Sequence, residues 1–299
     1  MPDPFEALRT APTPIEPDPA FAARLRARVA RALTPDGGDE PMTLQQTPET
    51  ADRLRLGDMI YLSLWVHDVQ RAAEFFASVL GWSVAPDSGP YRQVSDQSMA
   101  LGLSELRQVA EYLAEIGVPS PPPTWPTAHV AFVVDDLATA IERVRAAGGW
   151  AATPRQQPYG LVAACTDDQG MQFTLHEVPA GMPAPRTRDE RQGDVAYLTF
   201  QVVDSARARA FFGNVLEMQF SPGRVSDGWN VAEVVPMSGL SGGHQRATLV
   251  PMFRVDDIAA AVERVRAQGG EATDPDVQPY GVTSTCKDDQ GMPFYLGQF

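Results

Sequence analysis

The chain is short of positive charge, of cysteine and of long apolar runs, and each shortage removes a class of function. Its 299 residues carry 24 Lys and Arg against 38 Asp and Glu, a net charge of −14. A surface that wraps DNA or RNA must be positive to meet phosphate, so no nucleic-acid partner is expected. The acidity reads as what keeps a cytoplasmic protein in solution. Cys165 and Cys286 have no CxxC neighbour, which removes zinc-finger chemistry. They read as buried thiols in a reducing compartment. No apolar run reaches the length that spans a bilayer, so no membrane partner is expected. The N-terminus lacks a basic start followed by an apolar core, so no secretion signal is expected. A P-loop, a dinucleotide glycine motif and a Ser–His–Asp triad are all missing.

What is present is a globular composition, 43% apolar and 8% aromatic, on a chain long enough for two domains. The strongest signal is internal. Residues 132–177 recur without a gap 121 positions later at 253–298, sharing VDD, ERVRA, GG, QPYG and DDQGM. From Val130 and Pro251 onward, about 27 of 48 aligned positions are identical. A weaker echo precedes each copy: Tyr61-Leu62-Ser63-Leu64 answers Tyr197-Leu198-Thr199-Phe200, and Phe75-Phe76 answers Phe211-Phe212. The order is therefore A, B, A′, B′.

Each unit opens with an alternating strand followed by an aspartate (Asp68, Asp136, Asp204, Asp257) placed to cap a helix of about 12 residues. In B and B′ the helix stops at Gly148-Gly149 and Gly269-Gly270, as a left-handed cap requires. Three more strands follow, the last two joined by a turn at 167–170 in B, so each unit reads βαβββ. Residues 104–116 read as an extra helix in A, and the proline-rich 118–126 as its link to B. The expected organisation is an arm at 1–56 with a short basic amphipathic helix and a first domain at 57–178, built of modules 57–116 and 126–178. A linker at 179–193 and a second domain at 194–299, built of modules 194–245 and 246–299, complete it. The class is α+β.

Four βαβββ units in two pairs, with the repeated P-Y-G…D-D-Q-G-M text, resemble the vicinal oxygen chelate superfamily. That group includes glyoxalase I, extradiol dioxygenases and bleomycin-resistance proteins. The likeness covers about 57–299 and is nearest to tandem glyoxalase/bleomycin-resistance-type proteins of actinobacteria. It implies that paired units roll their sheets into cups, with helices outside and small molecules inside. Alternation along each strand then puts Tyr61, Ser63, Trp65 and His129 on the cup side, with Thr174 and His176. In the second domain it gives Tyr197, Thr199, Gln201, Arg254 and Tyr295. Trp229 is expected to join them.

The resemblance also implies a metal test. Metal-using members carry His, Gln or Glu about seven residues before the capping aspartate, and Glu four residues after the turn glycine. The first positions here are Tyr61, His129, Tyr197 and Val250, and the last are Thr174 and Tyr295. His129 is the one weak metal candidate. In the second domain Glu233 is a lone acid and His244 sits in a glycine-rich loop. No cofactor is expected. The leading expectation is metal-independent binding of a planar organic compound through aromatic walls and a few hydrogen-bonding groups. Two alternatives stand beside it. One is a divalent-metal lyase, isomerase or dioxygenase with an atypical site at His129 and His176, which are the catalytic candidates. The other is a non-catalytic scaffold with filled cups. The repeated Pro158-Tyr159-Gly160 and Pro279-Tyr280-Gly281 read as turns, or as cup-mouth walls. Self-association into a homodimer is left open.

Overall fold

A computed structural model describes residues 54–85, 89–95, 97–119, 122–182 and 191–299. The expected N-terminal helix and the centre of the expected linker lie outside the described residues. The chain is α+β and its strand–helix–strands module occurs four times: the A-type modules read βαβββ, and the B-type modules add one short strand beside that order. The first half runs β1 (Met59–Val66), α1 (Val69–Leu80), β2 (Ser83–Val84), β3 (Tyr91–Ser95), β4 (Ala100–Glu105) and α2 (Leu106–Glu115). It continues through β5 (Thr127–Val134), α3 (Leu137–Ala146), β6 (Trp150–Ala151), β7 (Arg155–Gln157), β8 (Gly160–Thr166) and β9 (Gln172–Glu177). The second half runs β10 (Val195–Gln201), α4 (Ser205–Leu216), β11 (Phe220–Pro222), β12 (Gly228–Val231) and β13 (Ser238–Ser241). Then come β14 (Thr248–Arg254), α5 (Ile258–Ala267), β15 (Glu271–Ala272), β16 (Asp276–Gln278), β17 (Gly281–Lys287) and β18 (Pro293–Gln298).

Each half is one sheet. The first is ordered β2-β3-β4-β1-β5-β9-β8-β6 and the second β11-β12-β13-β10-β14-β18-β17-β15, with β7 and β16 added beside β8 and β17. Modules join through antiparallel β1/β5 and β10/β14, so the first strand of every module lies at the middle of its sheet. The four aspartates cap as the sequence implies: Asp68 accepts from the Arg71 amide, Asp136 from Thr139, Asp204 from Ala206 and Arg207, and Asp257 from Ala260. Gly148 and Gly269 take φ of 86° and 81° at the ends of α3 and α5.

Apolar side chains of both sheets meet in one continuous core. Leu62, Leu64 and Val66 are fully buried on the helix side of β1, as alternation requires. The halves interlock crosswise. Helix α1 packs against α5, and α3 against α4. Phe76 of A stands edge-on to Phe253 and Phe294 of B′, while Phe212 of A′ stands edge-on to Phe173 of B. The second glycine of each helix stop makes room for this. A Cβ on Gly149 would lie 2.8 Å from the Phe211 ring, and one on Gly270 3.0 Å from the Phe75 ring.

The repeated DDQG turn does more than turn the chain. Asp167 Oδ1 accepts from the Gln169 and Met171 amides, and Asp288 Oδ1 from those of Gln290 and Met292, closing each hairpin. The glutamine then crosses to the other half. Gln169 pairs with both backbone groups of Asp204, and Gln290 with both of Asp68. Asp168 holds Arg207 and Asp289 holds Arg71. The turn of each B-type module thus grips the helix start of the A-type module in the opposite half.

Burial raises the carboxyls of Asp167 and Asp288 to about 6, against the pull of the amides that donate to them. A group raised in the fold contributes stability that is complete below its unfolded value and is lost as pH climbs through its folded value. The window here is about pH 4 to 6. Burial lowers His129 and His176, whose contribution runs the opposite way, falling as pH drops. The two aspartates are therefore isolated by substitution. Asp167→Asn/Asp288→Asn keeps the accepting oxygens. It is expected to gain on the parent as pH rises from 4 to 6.5, by about 1–3 kcal/mol per site. Urea melts across that range check this, and a constant offset between parent and variant would refute it.

Candidate functional site

The concave face of the first sheet carries most of the residues expected there. Ser63 lies beside His129 across β1/β5, and Tyr61 beside Ala131, which pairs with Thr174 on β9. Tyr61 folds flat over the sheet: a Cβ on Gly102 would come 2.5 Å from its hydroxyl. Burial and the neighbouring Tyr91 hydroxyl push the Tyr61 phenol well above its usual range. Ser63 and Ser104 share a hydrogen bond of 2.9 Å.

The two positions that resemblance marks for metal in module B bond to each other. His129 Nε2 meets Thr174 Oγ1 at 3.0 Å. Its ring stacks on Trp65 with centroids 4.6 Å apart, and burial lowers it to about 4, so it is neutral near pH 7. The two candidate histidines do not form a pair. His176 stands opposite Val133, four residues from His129 along β5 and so about 13 Å away along the strand. His176 Nε2 bonds the Tyr159 carbonyl at 2.9 Å instead. Glu177 turns out of the cup, accepting from the Leu137 amide at the start of α3. Gln298 does the same for Ile258 in the second copy.

Helix α2 closes this cup. Trp65, on the concave side, forms a separate small core with Leu106 and Leu113. At the other side of the helix Arg155 of β7 sits over the Tyr112 ring, 5.6 Å from its centre. The helix therefore bridges from β1 and β4 to β7 across the concave face.

The second cup has no such helix, because β13 passes to β14 through residues 242–247. Tyr197, Thr199, Gln201, Arg254 and Tyr295 share its concave face and are all partly exposed. Gln201 donates to the Tyr295 hydroxyl at 3.2 Å. Tyr197 repeats the posture of Tyr61, its hydroxyl 2.0 Å from where a Cβ on Gly239 would stand. Burial raises the phenols of Tyr197 and Tyr295, and the Tyr280 hydroxyl nearby raises both further. Phe299 lies over Gly281 and Gly297, the space that the His176 imidazole takes over Gly160 in the first half.

Trp229 is not with them. It pairs with Leu240, which pairs with Phe200, and both of these face the helices. The Trp229 ring accordingly lies under the Arg209 guanidinium of α4, 3.5 Å from its centre. The register of β12 decides its face, and the sequence alone did not show that register. Glu233 is exposed beyond the end of β12, and His244 bonds the Ser241 hydroxyl at 3.1 Å. Tyr91 and Tyr280 are cup residues that strand alternation in the leading strands could not reveal. The repeated QPYG was the signal for Tyr280.

Paired βαβββ modules with these concave faces define a two-cup fold of the glyoxalase type. Residues 59–176 match the model of a glyoxalase-like domain. Among solved structures, the chain is similar to the Mn(II)-bound glyoxalase from Novosphingobium aromaticivorans, with a TM-score of 0.60 and 16% identity, covering 82% of each chain. It is similar to the 2,3-dioxygenase LapB from Pseudomonas sp. KL28, with a TM-score of 0.59 and 13% identity over 83% of this chain and 94% of that one. A catechol 2,3-dioxygenase gives 0.57 and 13% identity over 82% of this chain and 88% of that one. No curated protein sequence matches. The family match covers residues 59–176, and the fold as a whole is shared with these glyoxalase and dioxygenase structures.

The residues present do not fit a divalent metal of the kind named for the Mn(II)-bound glyoxalase. Thr174 and Tyr295 stand where a carboxylate would be needed, and the His129 nitrogen that faces Thr174 is already engaged. Among the described residues, no three His, Cys, Asp or Glu side chains converge as a metal site would require.

Proposed function

We propose that the second cup binds a planar organic compound without a metal, as a cytoplasmic sequestering protein of the bleomycin-resistance kind or as part of a secondary-metabolite pathway. The observation that carries this is the composition of one open concave face. Tyr197 and Tyr295 offer flat walls, while Gln201 and Arg254 offer hydrogen bonds. The naming of catechol in one structural neighbour points to the same ligand class. The two domains of this reading are 57–178 and 194–299.

One observation favours a second reading for the first half alone. Helix α2 fills the first cup with the protein's own side chains, which suits a non-catalytic scaffold. The division of labour is then a closed first cup and a working second one.

Calorimetric titration with planar aromatic compounds, with and without a chelator, tests the proposal. Saturable binding of one equivalent is expected, unchanged by EDTA. Binding lost on chelation, or a stoichiometric tightly held Fe, Mn, Ni, Co or Zn in the purified protein, would overturn it.

A further inference from the structure

The two copies of the duplication have become unlike at one place on their concave faces. Arg155 of β7 has Asp276 as its counterpart in the second copy, and His176 has Gly297. Tyr112 lies on α2 and has no counterpart, because β13 passes to β14 without a helix. Tyr159 is kept, as Tyr280. The first-half residues lie together. Arg155 pairs with Val162, which pairs with His176, so both share the concave face. The Arg155 guanidinium stands 5.6 Å from the centre of the Tyr112 ring, and Tyr159 stands edge-on to His176 with centroids 5.4 Å apart. Burial raises the Tyr159 phenol, and the nearby hydroxyls of Tyr112 and Tyr91 raise it further. The Tyr91 ring and the Tyr61 hydroxyl both rest over Gly102, where a Cβ would lie 2.8 Å from one and 2.5 Å from the other.

These groups are open to solvent. Tyr91, Tyr112 and Tyr159 are 40%, 42% and 52% exposed. Arg155 is exposed, and Tyr61 and Thr174 on the sheet beneath are partly exposed, so the closure by α2 over Trp65 stops short of Tyr61. Among the described residues, the Arg155 guanidinium has neither a carboxylate nor a hydrogen-bond acceptor, so its N–H donors face water. The paired strand positions of this face, from β3 across the sheet to β7, hold no aspartate or glutamate. Glu111, beside Tyr112 on α2, is already paired with Arg107. On a chain of net charge −14, strands that carry one cation and no acid make a local positive site. A guanidinium holds a carboxylate through two parallel N–H bonds, and exposed phenol rings hold a flat apolar body. Their joint complement is a flat ring bearing one acid group. Asp276, at the matching place in the second half, would repel that ligand.

We infer that the Tyr61 end of the first concave face is a binding site for a small aromatic carboxylate. Arg155 holds the carboxylate, and the ring lies against the exposed Tyr112 and Tyr159. The site is separate from the second cup and does not depend on the function proposed for it.

The test titrates the full-length protein with benzoate by ligand-observed NMR at fixed ionic strength, in the parent and in Thr199→Trp, whose indole fills the second cup. Saturable binding is expected in both, with a Kd of about 1 mM for a ligand of that size. Benzamide has the same ring without the charge, and cyclohexanecarboxylate has the charge without the flat ring. Each is expected to bind at least about fivefold more weakly. In the Thr199→Trp background, Arg155→Asp, which introduces the second copy's residue, is expected to weaken benzoate by about tenfold or more, and Tyr159→Ala by about threefold or more. Variants are compared only where melting shows them folded, and the comparison of ligands stands without them. No saturable binding at 20 mM (about 20-fold above the expected Kd), benzamide bound as tightly as benzoate, benzoate lost in folded Thr199→Trp, or folded Arg155→Asp binding as its parent does would each overturn the inference. A second cup that binds no planar compound, with benzoate still held through Arg155, would count against the proposed function alone.

Discussion

Phe76→Ala is expected to destabilise both halves together, by about 3–5 kcal/mol, in a single unfolding transition. Phe76 is fully buried in the first half. Yet three of its ring neighbours decide its effect: Trp82 stacked within its own half, and Phe253 and Phe294 of the second half edge-on. Removing the ring leaves a cavity bounded by both sheets, and the loss falls on the core they share. Urea unfolding followed by tryptophan fluorescence and by far-UV circular dichroism checks this. Two separated transitions, with only one shifted, would show that the halves are energetically independent.

Thr199→Trp is expected to lower the affinity of the second cup for planar ligands by at least about 100-fold while changing Tm by only a few degrees. Thr199 sits between Tyr197 and Gln201 on the same face of β10 and pairs with Val250 and Gly239. It is partly exposed and faces away from the helix-side core. An indole there occupies the space between the two tyrosine-bearing strands without entering the core. The parallel change in the first half, Trp65→Ala, removes the anchor of α2 and is expected to leave second-cup binding intact. Binding measured by calorimetry separates these outcomes. Undiminished affinity in folded Thr199→Trp would place the ligand elsewhere.

Much of the fold was legible because its signals are short-range. Helix caps depend on an aspartate and the amides two or three residues later, and all four stand where the sequence put them. Alternation assigned Leu62, Leu64 and Val66 to the helices, and Tyr61 and Ser63 to the other face. The extra helix in module A was expected at 104–116 and is found at Leu106–Glu115, because Ser104 and Glu105 extend β4 beside β1 instead.

The candidate site was legible only in part. Trp229 sits on a four-residue strand whose face is fixed by its pairing with Leu240, a contact with no local signature. The pairing of His129 with Thr174 spans 45 residues and makes the ring a hydrogen-bonding group, while burial keeps it neutral. The closing of one cup and not the other follows from where α2 comes to rest, against Trp65 and beneath Arg155.

The sequence by itself determined the module, its four repetitions and the faces of the leading strands, because periodicity and capping act within a few residues. Only the tertiary structure decided that the copies interlock crosswise, with Gln169 on Asp204 and Gln290 on Asp68. A repeat written twice records that a turn exists, but not which copy it grips. That choice belongs to the packing of distant helices into one shared core.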